Sequence, residues 1–206
     1  MTNIDIQKLV EERMAFVRDN YDKEKVKERI VRGIEKGYNI LLTYLSDNDF
    51  LKVPNWLGMN SETYKANKEM LLQELESRNY GYGILLGKQL NGKYLICIDI
   101  DINNTDESNK LDETLERIRQ VLVKHKVEYY EEETLTGKYH IYILIDKLTD
   151  FIKSIKKIPV ENAYKYKFLN GKIEVVKGEV ELLSERKTIS VYNGLINNQE
   201  PFFTQI

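Results

Sequence analysis

The sequence predicts an α+β fold in which a mixed or antiparallel sheet carries helices on one face. Three observations predict it. Helical and strand patterns interleave without the regular βαβ alternation of a doubly wound sheet, a tight-turn dipeptide stands at Asn91-Gly92, and strict apolar/acid alternation runs through Ile98-Asp99-Ile100-Asp101-Ile102. A chain of 206 residues buries roughly 70% of its unfolded surface, so it folds without covalent staples.

The elements follow in order. From Asp5 to Asn20, Ile6, Leu9, Val10 and Val17 fall on one helical stripe. Asp22 is a suitable N-cap for a second helix, in which Val26, Ile30 and Ile34 repeat until Gly37 stops the run. Residues 1–37 thus read as an N-terminal helical segment packed on a core formed by residues 38–206. Tyr38 to Leu45 reads as a buried strand, and Pro54 in the following loop forbids a continuing helix or central strand. A helix is expected from Ser61, its cap, to Arg78. Tyr82 to Gly87 and Lys93 to Ile102 flank Asn91-Gly92 as the arms of a hairpin. Leu111, Leu115, Ile118 and Leu122 mark a helix that ends near Lys124. A strand near Val127 to Glu132, the turn Leu135-Thr136-Gly137 and a strand from Lys138 to Ile145 come next. A short lysine-rich helix near Asp150 to Lys157 and an irregular stretch with Pro159 precede three strands, at Lys172 to Val176, Val180 to Leu183 and Thr188 to Tyr192.

Composition narrows the function classes. The net charge of −2 exerts no global pull on nucleic acid, so any such binding rests on local patches. A single cysteine, Cys97, excludes an internal disulfide and a cysteine zinc cluster, and its place beside an isoleucine strand marks it as a small buried hydrophobe. No apolar run approaches the roughly 20 residues of a membrane span, and the N-terminus lacks the apolar core and cleavage site of a signal peptide. A soluble, cytoplasmic protein without a membrane partner is expected.

Three strand segments offer chemistry. Alternation places Asp99 and Asp101 on one face, where their carboxylates are hard ligands suited to Mg²⁺ or Mn²⁺, while Ile98, Ile100 and Ile102 face a core. After Thr136-Gly137, alternation places Lys138, His140 and Tyr142 together, a point charge and a directional donor suited to a triphosphate. Glu174 interrupts an apolar strand just before Lys177-Gly178, and a carboxylate there costs desolvation energy unless it is paired or metal-bound. Glu179 and Glu181 compete with it, although they alternate as acids on any solvated face do. The cluster Glu128, Glu131, Glu132 and Glu133 reads as a solvated strand face, and His125, at the end of a charged helix, as solvated. Lys153, Lys156, Lys157, Lys165, Lys167 and Lys172 interleave with Phe151, Tyr164, Tyr166 and Phe168 against the single acid Glu161, the mixture that single-strand and primer–template contacts use.

Taken in order, an Asp-x-Asp pair, a Gly-x-x-His strand and an acid on a later strand resemble the primase–polymerase domain of archaeo-eukaryotic primases. The resemblance is nearest to the replication proteins of plasmids and viruses. Asp99 and Asp101 match the first motif, Gly137 and His140 the second, and Glu174 the third. Lys52-Val53-Pro54 resembles the family's K-x-P loop, and Tyr82-Gly83-Ile84-Leu85-Leu86-Gly87 its strand-and-glycine lead-in. The likeness spans roughly Tyr38 to Tyr192. It departs from the family in having Glu where Asp is usual at the third acid and Leu182-Leu183-Ser184 where Pro-Pro-Ser often follows, and the zinc-binding stem of some relatives has no counterpart.

The resemblance implies an RRM-like catalytic core and template-dependent nucleotidyl transfer by a DNA primase or polymerase. Asp99, Asp101 and Glu174 would hold two Mg²⁺ or Mn²⁺ ions, with no zinc. Gly137, Lys138 and His140 would bind the dNTP or NTP, and Lys156, Lys157, Lys165 and Lys167 the DNA template and primer, with a helicase domain or partner alongside. Two other classes use the same residues. A metal-dependent nuclease would shorten DNA without nucleoside triphosphates, and a non-catalytic replication-initiator module would bind DNA without the acids. A relaxase-type His-x-His pair is absent, since His125 and His140 lie too far apart in sequence.

Overall fold

Helical and strand periods lead to an α+β architecture in the computed structural model, which describes residues 3–45, 68–102, 109–147, 166–169, 172–175, 180–183, 188–192, 195–196 and 199–201. In chain order the elements are α1 (Asn3–Asn20), α2 (Lys23–Glu35), β1 (Ile40–Tyr44), α3 (Lys68–Ser77), β2 (Tyr80–Leu85), β3 (Gly87–Lys88), β4 (Tyr94–Ile100), α4 (Lys110–Lys124), β5 (Tyr129–Glu133), β6 (Tyr139–Ile145), β7 (Tyr166–Leu169), β8 (Lys172–Val175), β9 (Val180–Leu183) and β10 (Thr188–Val191). Every strand pairing among the described residues is antiparallel. None of the described helices is long and apolar enough to cross a membrane.

The chain divides into two compact units, each with its own sheet. One comprises Lys8–Leu85, Gln89–Asn91 and Thr188–Ile206 and holds the three-stranded sheet β1-β2-β10. Asp22 caps α2 by accepting the Lys25 N–H at 3.0 Å, which satisfies one of the amides that a helix start leaves unpaired. The helix packs on β1 and β2 and buries Val26, Ile30 and Ile34. Arg29, 3% exposed, is anchored from the same helix by Glu200, whose Oε1 accepts from Nη2 at 3.0 Å. After α2 the chain turns through Gly37 at φ +80°, where an added Cβ would stand 2.9 Å from the backbone nitrogen of Asn91. Glycine is required there for both the left-handed backbone and the close approach.

The other unit comprises Met1–Gln7, Leu86–Lys88 and Gly92–Lys187 and holds the strand order β5-β6-β4-β9-β8-β7, with β3 paired to β4. The run β4-α4-β5 is a split β-α-β, because β6 lies between the two strands. One face of this sheet is a core in which Ile96, Ile98, Ile100, Ile102, Ile141, Ile143 and Leu182 cluster with Leu111, Leu115 and Leu122 of α4. Burying those isoleucines holds β4 in register, since a slip by one residue would turn both aspartates inward.

Three expectations are corrected. Tyr82 to Gly87 does not form a long hairpin with β4: Tyr80–Leu85 pairs with β1 and β10, and only Gly87 and Lys88 pair with β4. The lead-in therefore divides between two sheets. A strand, β7, occupies Tyr166–Leu169, within the stretch read as irregular. Its Leu169 stands opposite Lys172, across the dipeptide Asn170-Gly171. Glu132 is not solvated but 1% exposed. The loop at Lys52-Val53-Pro54, the cap Ser61, and the lysine-rich segment at Asp150 to Lys157 with Pro159 lie outside the described residues.

Candidate active site

The aspartates stand at one end of the larger sheet because β4 alternates as its sequence demands. Asp99 is the penultimate residue of β4, and Asp101 follows its last residue, Ile100. Their side chains are 35% and 57% exposed, in contrast to Ile98 and Ile100 on the core face. Cys97, on the face of Asp99, is buried as expected, and burial together with the charges of Asp99 and Glu132 pushes its thiol pKa well up. It is an inert neutral group.

The turn between β5 and β6 brings the second motif to the same end. The Gly137 N–H donates to the Thr134 carbonyl at 3.0 Å and the Thr134 N–H to the Lys138 carbonyl at 2.8 Å, with Gly137 in the left-handed region at φ +76°. Gly137 thus shapes the turn that delivers Lys138 and His140. The Lys138 ammonium pairs with the Asp101 carboxylate. His140 is 7% exposed. Its Nε2 lies 3.7 Å from Asp99 Oδ1 and its Nδ1 3.3 Å from Glu132 Oε2. The Tyr142 hydroxyl donates to that same Glu132 oxygen at 2.5 Å.

Ladder register extends this geometry across the sheet. His140 stands directly opposite Glu132 on one side and Asp99 on the other, Asp99 opposite Glu181, Glu181 opposite Glu174, and Glu174 opposite Lys167. Directly opposed residues in an antiparallel ladder belong to one face, so six adjacent strands contribute to one polar row. Asp99, Asp101, Lys138 and His140 are brought into contact in pairs. Glu174 and Glu181 are placed by backbone register alone, Glu181 one strand from Asp99 and Glu174 two. Lys167 ends the row. Lys156, Lys157, Lys165 and Glu179 lie outside the described residues.

Glu132 is the site residue that sequence reasoning missed. A hairpin centred on Thr136 makes Glu132 and His140 equidistant from the turn, and that arithmetic was the available signal. Glu131, one residue earlier, faces the other way and takes a bidentate pair from Arg119, with both contacts at 2.6 Å.

Among the described residues no group of three His, Cys, Asp or Glu side chains is assembled to hold a metal. The donor chemistry of the row nevertheless fits a hard divalent cation. Like charges directly opposite one another destabilise a ladder, and Asp99, Glu181 and Glu174 put carboxylate-bearing residues on three consecutive strands. A cation held between such carboxylates would offset that repulsion. Comparison of the chain with protein families, curated proteins and solved structures returned no match.

Proposed function

We propose that the chain is a template-dependent nucleotidyltransferase, a DNA primase or polymerase of the archaeo-eukaryotic primase type, serving replication of a plasmid or virus. The observation that carries this reading is the contact between the first two motifs: Asp99 stands opposite His140, and Asp101 pairs with Lys138, at one end of one sheet. The β9-β4-β6-β5 strand order around the split β-α-β supports an RRM-like core for the larger unit.

In this reading Asp99 and Asp101, with Glu181 or Glu174 as the third acid, hold Mg²⁺ or Mn²⁺. Such ions supply activation of the attacking 3′-hydroxyl and charge neutralisation on the phosphates. The protein's own residues do the rest. The Lys138 ammonium, held over the site by Asp101, exchanges that carboxylate for a phosphate oxygen when a nucleotide enters. His140 offers Nε2 from the sheet floor as a directional contact to the same phosphates. Lys167, with Lys156, Lys157 and Lys165, meets the template backbone, so affinity for DNA falls with salt. The partners are the DNA template and primer and the dNTP or NTP, with a helicase acting alongside.

Nucleotide incorporation on a primed single-stranded template tests the proposal, with Asp99→Ala plus Asp101→Ala as the comparison. Shortening of DNA without triphosphates would favour a nuclease instead.

A further inference from the structure

The imidazole of His140 is gripped from its far edge by a carboxylate that no sequence motif included. Glu132 is 1% exposed. Burying a carboxylate costs several kcal/mol unless partners replace its water. Here the Tyr142 hydroxyl donates to Oε2 at 2.5 Å, and His140 Nδ1 lies 3.3 Å from that oxygen. Tyr142 also stands edge-on to the imidazole, with ring centroids 6.0 Å apart and planes at 76°. Ladder register sets all of this, because β5 places Glu132 directly opposite His140 while β4 places Asp99 opposite it on the other side.

A histidine ring alone rotates between nearly equivalent orientations, since its terminal torsion is broad and roughly two-fold. A carboxylate at one nitrogen removes the equivalence. It makes that nitrogen the donor and fixes the ring, as carboxylates behind metal-ligating histidines do. Nδ1 is then committed to Glu132, and Nε2 faces Asp99 Oδ1 at 3.7 Å.

We propose that Glu132, braced by Tyr142, is a positioning residue for His140: it accepts from Nδ1 as the inner hydrogen bond and so turns Nε2, which donates to a phosphate oxygen only when the ring carries both protons, toward the place where the nucleotide phosphates dock. The docking role rests on the nucleotidyltransferase reading above. The bracing of the ring does not.

The experiment is a long-range ¹H–¹⁵N correlation spectrum of the full chain, recorded without nucleotide. The sequence has two histidines, so the His140 signals are assigned by difference against His125→Gln. The wild type is expected to show a proton on Nδ1 of His140. Glu132→Ala loses that signature and Glu132→Gln, whose amide oxygen still accepts, retains it. In primer extension Glu132→Ala raises the nucleotide KM roughly tenfold or more with a smaller change in kcat, and Glu132→Gln restores most of it. If Glu132→Ala does not fold, Tyr142→Phe takes its place and is expected to shift the His140 ring signals. A bare Nδ1 in the wild type, or ring signals unchanged in these variants, would overturn the proposal. A chain that incorporates no nucleotide yet shows the Glu132-dependent Nδ1 proton overturns the nucleotidyltransferase reading and leaves the brace standing.

Discussion

Asp99 stands directly opposite Glu181 in the β4–β9 ladder, one strand nearer than Glu174, which lies opposite Glu181 in turn. Opposed residues in an antiparallel pair have Cβ atoms about 4.5–5.5 Å apart, so backbone register makes Glu181, and not Glu174, the immediate cross-strand neighbour of Asp99.

Mn²⁺ titration followed by electron paramagnetic resonance distinguishes the two glutamates. Register predicts that Glu181→Gln weakens Mn²⁺ binding more than Glu174→Gln does. The reverse order would return the third ligand to Glu174, as the primase resemblance has it.

Lys138 and Asp101 form a partly exposed pair at the edge of the site, with side chains 19% and 57% exposed. Pairs of this kind contribute about 0.2–1 kcal/mol, so Lys138→Ala is expected to leave the melting temperature nearly unchanged. Its effect belongs to nucleotide binding, read as a raised KM in primer extension. A large loss of stability would make the lysine a structural residue instead.

Asp22 accepts the Lys25 amide at the start of α2. Removing a cap of this type costs about 0.5–2 kcal/mol, so Asp22→Ala is expected to lower denaturant stability by that amount, whereas Asp22→Asn is expected to retain most of it.

Alkaline stability follows from Tyr21. Its hydroxyl donates to the Tyr80 carbonyl and accepts the Tyr80 N–H, both at 2.9 Å. Burial, reinforced by Asp22 and opposed by the hydrogen bond with the Tyr80 backbone, pushes the phenol up to about 12. The folded chain therefore holds this proton more tightly than the unfolded chain, whose phenol titrates near 10. That stabilisation is complete below pH 10 and disappears as pH rises through about 12. Melting temperatures are expected to fall across this window, less steeply in Tyr21→Phe; equal slopes would remove Tyr21 as a cause.

What the sequence made legible was local. The Asp22 cap and the Val26, Ile30, Ile34 stripe lie within one helix, and the alternation of Ile98 through Ile102 sorts core from carboxylates without reference to any partner strand. Glu132 was hidden because a glutamate in a row of glutamates looks solvated until the hairpin register sets it opposite His140. β7, Tyr166-Lys167-Phe168-Leu169, lies in a basic stretch whose interleaved lysines and aromatics read locally as irregular, although Asn170-Gly171 beside it is a hairpin signal. The division of Tyr80–Leu85 from β4 follows from pairing with β1 and β10, distant in sequence, and no local period encodes that choice.

Primer extension on a single-stranded DNA template, with Mg²⁺ or Mn²⁺ and each class of nucleoside triphosphate, is the most direct measurement. The wild-type chain is expected to lengthen the primer according to the template, and Asp99→Ala plus Asp101→Ala to abolish synthesis while the chain remains folded. Undiminished synthesis by the double variant, or a wild-type chain that binds DNA and never extends it, would contradict the assignment.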